Sequence, residues 1–204
     1  SQGLLMDGTE EQRRHILPKL ASGEIIGSFA LTEPNAGSDA ASLETKAVED
    51  GDDFLLTGTK QWITNAKSAQ LFTVFARTDP NETRSRGVSA FLVEADRSGI
   101  SLSSNYKKMG QQGAHVCDIN FDQCRVPRSN IIGGPDRINN GFQTAMKTLD
   151  RGRIHIAALS VGCAKRLIDM SISYALERKQ FGKPIAEFQL LQGMLADSQA
   201  ECYA

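Results

Sequence analysis

No proline interrupts the chain between Pro135 and Pro184, and inside that stretch Phe142, Met146, Leu149, Ile156, Val161, Ile168, Ile172 and Ala175 recur mostly at spacings of three, four and seven. Those spacings mark one face of a helix. They predict roughly 35 helical residues, about 50 Å long at the usual rise. A helix of that length exceeds the diameter of one small β domain, so it has to pack in a bundle or against a partner subunit. Gly182-Lys183-Pro184 breaks the pattern. A second helix is expected from near Glu187, with Leu190, Leu191, Met194 and Leu195 on its apolar side, and its period is still running at Ala204.

The N-terminal two-thirds has a different texture. Thr9-Glu10-Glu11-Gln12 is a capping-box pattern, in which the Thr hydroxyl accepts from the fourth residue's N–H and the Gln side chain reaches back. It opens a short helix with Ile16, Leu17 and Leu20 as its apolar side, closed by Pro18 and Ser22-Gly23. So short a helix cannot bury itself alone, so it is expected to end a longer helical region. From Glu24 onward short β-type runs follow: Ile25–Leu31, Glu44–Glu49, Phe54–Thr59, Leu71–Ala76, Val88–Glu94 and Val116–Phe121. Glu49-Asp50-Gly51-Asp52 reads as a hairpin turn, and the polar segment Thr78–Arg86, with Pro80, as a mobile loop. Several strands with tight turns and no long helix between them suggest an antiparallel barrel or two packed sheets.

Composition excludes some classes. The 204 residues carry a net charge of -1 at a pI near 6.3, so no global field favours nucleic acid or an anionic membrane. No apolar run is long enough to span a bilayer, and no basic segment followed by an apolar core opens the chain. Cys117, Cys124, Cys163 and Cys202 have no metal-ligand spacing and read as buried free thiols of a reducing compartment.

Three stretches stand out as chemistry. Phe29 to Asp39 runs from an apolar lead-in through Pro34 and Gly37 into short polar residues. A strand entering such a loop exposes consecutive N–H groups able to hold a carbonyl edge or a phosphate, or it is simply a turn. The second stretch, Gln61-Trp62-Ile63-Thr64-Asn65, holds the only tryptophan, which by itself could equally be a core aromatic. The third is Glu177-Arg178-Lys179-Gln180-Phe181-Gly182, where an Arg at a helix end is by spacing alone a solvated charge.

Taken together the motifs resemble the acyl-CoA dehydrogenase family of flavoproteins. The matches are Leu31-Thr32-Glu33-Pro34, Ala36-Gly37-Ser38-Asp39, Gly58 to Asn65, Met109-Gly110, Val126-Pro127, Gly141-Phe142, Gly152-Arg153-Ile154 and Glu177 to Gly182, in the family's order and spacing. The fold class implied is α+β: an antiparallel β-barrel middle domain flanked by helices, followed by part of an up-and-down four-helix bundle. On that reading residues 1–25 end an N-terminal helical domain, 26–136 form the barrel and 137–204 are the first two helices of the bundle, the rest of both helical domains lying outside this chain. The activity implied is FAD-dependent α,β-dehydrogenation of an acyl-CoA thioester to the trans-2-enoyl-CoA, with electrons passed to an electron-transfer flavoprotein. An oxidase using O2 and a non-catalytic module on the same fold are the competing readings.

The resemblance also implies site residues. Backbone groups around Phe29, Leu31 and Thr32 would meet the flavin's pyrimidine edge, Thr64 its N5/O4 side and Trp62 its face away from substrate, with Ile63 also cofactor-binding. Gly37 and Ser38 would lie near the pyrophosphate, with Ser38 also near CoA. Arg178, Gln180, Phe181 and Gln189 would reach FAD of a neighbouring subunit, which implies a homo-oligomer, a dimer or tetramer. Asp150, Arg151, Gly152 and Arg153 would contact acyl-CoA. No catalytic base is expected in this chain: where some members place a glutamate before the Arg matched by Arg153, Gly152 stands here, and the usual alternative falls beyond Ala204. Ala114 stands where several members carry a CoA-binding Ser. His115 and His155 read as packing or surface histidines. No metal and no nucleic acid are implied. The setting implied is fatty acid or branched-chain amino acid catabolism in a bacterial cytoplasm or a mitochondrial matrix.

Overall fold

The structure, a computed structural model, describes residues 1–82 and 84–204. It forms two compact units, Ser1–Thr148 and Leu149–Ala204.

The first unit opens with two helices, α1 (Gln2–Asp7) and α2 (Glu10–Ser22). The capping box predicted at Thr9 is present, each of the Thr9–Gln12 bonds being 3.1 Å. The helix runs through Pro18 rather than closing there, and ends where Gly23 takes φ +77°. Gln12 does more than cap: its side-chain amide donates to the carbonyls of Ile131 at 2.7 Å and Ser129 at 3.0 Å and accepts from the Gly133 N–H. One residue thus ties α2 to the end of the β region.

The strands are β1 (Gly27–Ala30), β2 (Lys46–Asp50), β3 (Asp53–Thr64), β4 (Leu71–Arg77), β5 (Val88–Glu94), β6 (Ile100–Leu102) and β7 (Val116–Pro127). They make one seven-stranded sheet in the order β1-β4-β2-β3-β7-β6, with β5 on the other edge of β4. The predicted antiparallel character holds for β2–β3, β3–β7, β4–β5 and β6–β7. β1 and β2 run parallel to β4, so the sheet is mixed. The hairpin at Glu49–Asp52 turns at Gly51, φ +64°. Two strands outrun their sequence signals, β3 reaching Thr64 and β7 reaching Pro127. Of the loop expected over Thr78–Arg86, Thr83 lies outside the described residues.

Alternation along β4 and β5 explains their unbroken apolar runs. Phe72, Val74, Ala76, Phe91 and Val93 face one core with Phe54, Leu56, Ile119 and Phe121, where the Phe54 and Phe91 rings meet edge-on at 5.3 Å. Leu71, Phe75, Ala90 and Leu92 point the other way, onto Leu4, Ile16, Leu17, Leu31, Phe142 and Ala145. Successive side chains in a strand take opposite faces, so a strand covered on both has no polar position to alternate.

Helix α3 (Gly141–Glu177) is 37 residues long, about 55 Å at 1.5 Å per residue. In the second unit it continues into a two-strand turn, β8 (Lys179–Gln180) and β9 (Lys183–Pro184), with Phe181 and Gly182 at φ +52° and +80°, and then α4 (Gln189–Tyr203). Ile168 and Ala175 of the predicted apolar face are buried, whereas Leu149, Ile156, Val161 and Ile172 are exposed in this chain. The cysteines divide: Cys117 and Cys124 are buried as expected, Cys163 is exposed and Cys202 half-buried, all free. No helix among the described residues is long and apolar enough to cross a membrane.

Candidate functional site

The first two stretches singled out in the sequence meet at one end of β3. The Gln61 N–H donates to the Thr32 carbonyl at 2.8 Å, and the Ser28 hydroxyl to the Thr64 carbonyl at 2.8 Å. Beyond Thr32 the chain folds back through Pro34-Asn35, where Glu33 and Ala36 exchange N–H···O bonds of 3.0 and 3.2 Å.

Beneath this turn lies a buried ion pair. Lys60 and Glu33, 0% and 4% exposed, approach to 2.6 Å. The same ammonium donates to the Leu31 carbonyl at 3.1 Å, while Glu33 accepts the N–H groups of Glu44 at 2.5 Å and Thr45 at 3.0 Å. Lys60 therefore holds both ends of the Leu31–Glu33 segment. Burial works against Glu33 ionising, but the Lys60 charge and the donors around the carboxylate outweigh it and hold the group below its ordinary value. Burial pushes Lys60 down to about 8, against the pull of Glu33. Lys60 was identifiable from β3 itself: Phe54, Leu56, Gly58 and Lys60 alternate onto the inward face, and a charged residue there needs a partner.

Beside the pair the Leu31 side chain is in the core and Thr32 is half-buried. Among the described residues no protein acceptor takes the N–H groups of Leu31 or Thr32, which leaves two adjacent donors for a carbonyl edge. Thr64 is exposed, and the Trp62 indole, 58% exposed, belongs to neither core cluster. The Ile63 side chain is buried and the Phe29 ring lies 5.0 Å from Phe75, so both could offer a ligand only backbone groups. Gly37 and Ser38 are exposed, and a Cβ on Gly37 would meet nothing. The fold makes no demand for glycine at that point. Donors at a pyrimidine-like edge, a hydroxyl and an exposed indole make a set that fits an isoalloxazine ring.

Trp62 owes its exposure to a bulge. Between Lys60↔Ile119 and Ile63↔Cys117 the β3–β7 register slips by one, so Gln61 and Trp62 both oppose Asp118. Trp62 sits at φ +59°. Its N–H donates to Asp118 Oδ1 at 3.2 Å, and the Tyr106 hydroxyl spans both Asp118 oxygens at 3.1 and 2.9 Å. Neither Asp118 nor Tyr106 carried a sequence signal.

The remaining predicted residues lie in the second unit. Asp150, Arg151 and Arg153 are exposed on α3, with Gly152 between them. Arg178 follows the helix, its N–H on the Tyr174 carbonyl and its carbonyl taking the Ile185 N–H at 2.8 Å. Gln180 and Phe181 form the turn, Phe181 93% exposed with its ring 6.2 Å from Phe188, and Gln189 opens α4, exposed. His115 and His155 are at the surface, as expected, and no cluster of metal-ligating side chains occurs among the described residues.

Comparison with known proteins agrees with these motifs. The acyl-CoA dehydrogenase middle domain matches residues 28–124 and the acyl-CoA dehydrogenase C-terminal domain residues 139–204. The chain belongs to the acyl-CoA dehydrogenase family. A probable acyl-CoA dehydrogenase of Bacillus subtilis, YngJ, is 47% identical over 95% of this chain and 50% of its own. The CarC subunit of the caffeyl-CoA reductase–Etf complex of Acetobacterium woodii is 45% identical over 95% and 50%. The prolyl acyl carrier protein oxidase AnaB superposes with a TM-score of 0.93 at 38% identity, covering 98% of this chain and 52% of that one. Glutaryl-CoA dehydrogenase of Mycobacterium smegmatis in complex with FADH2 gives 0.88 at 33%, covering 98% and 49%. The chain spans about half the length of the curated relatives it matches.

Proposed function

We propose that this chain supplies the flavin-binding wall of an FAD-dependent acyl-CoA dehydrogenase that forms a trans-2-enoyl-CoA from an acyl-CoA thioester. The observation that carries the reading is the pair of unclaimed N–H groups at Leu31 and Thr32 beside the Trp62 bulge. Bound FAD would supply the hydride acceptor, the one piece of chemistry side chains lack. The chain's own groups would do the rest. The Leu31 and Thr32 amides would hold the flavin's pyrimidine edge, as donors set in place without reorganisation. The Thr64 hydroxyl would meet its N5/O4 side, and Trp62 would cover its face. Ser38 would lie near the FAD pyrophosphate and CoA. Asp150, Arg151, Gly152 and Arg153 would contact acyl-CoA, Arg153 toward its nucleotide end. The bidentate, permanently charged fork that suits a diphosphate is that of Arg178. No residue of this chain is assigned the proton abstraction.

Arg178, Gln180, Phe181 and Gln189 would meet FAD of a second copy, in a dimer or tetramer that also covers the exposed apolar residues of α3. Residues 1–25, 26–136 and 137–204 would belong to the helical, β and bundle domains. CarC's place in an Etf complex supports an electron-transfer flavoprotein as acceptor, and the setting would be a bacterial cytoplasm or a mitochondrial matrix. Native purification of the intact protein tests the proposal. FAD released on denaturation, and bleached beforehand by a straight- or branched-chain acyl-CoA, is expected; a colourless protein unaffected by any acyl-CoA refutes it. The likeness to AnaB favours one alternative, an oxidase, which peroxide formation without an electron-transfer flavoprotein would identify.

A further inference from the structure

We propose that Asp118 is a positioning residue that holds Trp62 in the conformation presenting its indole, with Tyr106 and Gln61 fixing the carboxylate. The functional consequence rests on the reading that Trp62 covers bound flavin; the positioning itself does not.

A bulky aromatic residue is rarely found in the left-handed region. Trp62 is there at φ +59°, a conformation that persists only where the surroundings over-determine it. The bulge supplies the reason it needs help. With Gln61 and Trp62 both opposite Asp118, the two consecutive N–H groups go to different partners. The Gln61 N–H goes to the Thr32 carbonyl, and the Trp62 N–H to the Asp118 carboxylate on β7. Asp118 makes no ion pair among the described residues, so its charge serves as an acceptor. Its backbone is fixed in turn: Ser103 accepts the Asp118 N–H at 2.9 Å on its hydroxyl and donates its own N–H to the Asp118 carbonyl at 3.1 Å. Tyr106 caps both carboxylate oxygens, and the Gln61 side chain donates to the Tyr106 hydroxyl at 3.1 Å. The circuit closes on the bulge it supports, so the same two residues join the Leu31–Glu33 segment to the indole.

Asp118→Ala removes the acceptor, Asp118→Asn keeps one for the Trp62 N–H, and Tyr106→Phe removes the hydroxyl that caps the carboxylate and takes the Gln61 side chain. The first readout is tryptophan anisotropy in the flavin-free protein, with the Trp62→Phe signal subtracted so that Trp62 alone is seen. Asp118→Ala is expected to lower it by roughly a third as the indole gains rotamer freedom, Tyr106→Phe by less, and Asp118→Asn to restore most of it. The second readout is FAD affinity, expected to fall about tenfold in Asp118→Ala through lost preorganisation. Unchanged anisotropy in Asp118→Ala overturns the proposal. If that variant does not fold, unchanged anisotropy in Tyr106→Phe overturns it. Reduced anisotropy with unaltered FAD affinity supports the positioning role and refutes the flavin role of Trp62.

Discussion

Replacing Lys60 by methionine would leave the Glu33 carboxylate buried without its counter-ion. At 2.6 Å the pair attracts by about 6 kcal/mol with an effective dielectric of 20, and removing two ions from water costs several kcal/mol each. These terms nearly cancel, so the pair contributes little relative to an apolar pair, while either half alone is costly. Lys60→Met is expected to destabilise the protein by about 3–5 kcal/mol, lowering the thermal midpoint by roughly 6–20 °C. Glu33→Gln should cost a similar amount, because one amide oxygen must serve the Glu44 and Thr45 N–H groups while the ammonium keeps only the Leu31 carbonyl. The double variant should recover at least about 2 kcal/mol of the summed losses, since neither charge is then stranded. The assay is thermal and urea denaturation of all four proteins, with FAD titration alongside because both residues frame the Leu31–Thr32 donors. Additivity within about 0.5 kcal/mol, or a Lys60→Met cost below about 1 kcal/mol, would refute the account.

Referenced to that double variant, the wild type should show two pH limbs. Glu33 titrates below its unfolded value, so its contribution is present above the ordinary carboxylate range and lost as pH falls through the folded pKa. Lys60 titrates at about 8 in the fold against 10.5 unfolded; between these values the unfolded chain binds more protons, so relative stability rises by about 2 kcal/mol from pH 7 to 10. Gln12→Ala removes the capping box together with the contacts to Ser129, Ile131 and Gly133 and should cost about 2–3 kcal/mol in urea denaturation. Gly58→Ala should cost more than an ordinary surface change, about 2–4 kcal/mol, because a Cβ there would stand 2.6 Å from the Thr45 hydroxyl at φ +151°. An unchanged midpoint in either variant contradicts the contact named.

Much of this was legible along the chain because it depends on local pattern. The capping box at Thr9, the turn at Gly51 and the length of α3 each follow from residues close in sequence. The parallel placement of β1 and β2 against β4 did not, because parallel pairing leaves no turn to announce it and both faces of β4 are buried, which removes the alternation. Helix α1 was missed for a related reason: six residues carry too little periodicity to register.

The site divided along the same line. Residues that would touch a ligand, such as Trp62, Thr64 and Ser38, sit in motifs a reader can match. The roles of the groups that hold them are harder to read, because their partners lie far away in sequence: Lys60 reaches back to Glu33, and Asp118 reaches across from β7 to Trp62. The bulge itself was invisible, since a one-residue slip in register needs the facing strand to define it. Both supports act on the same short stretch of β3, Lys60 from the inside and Asp118 from the edge. Lys60 fixes the carbonyl of Leu31 and Asp118 the amide of Trp62, with the Gln61–Thr32 bond between them. Loss of either support should therefore reach the other's ligand-facing group through that bond. Combining Lys60→Met with Asp118→Ala should accordingly change FAD affinity by a factor different from the product of the two single effects, whereas independent supports would give the product.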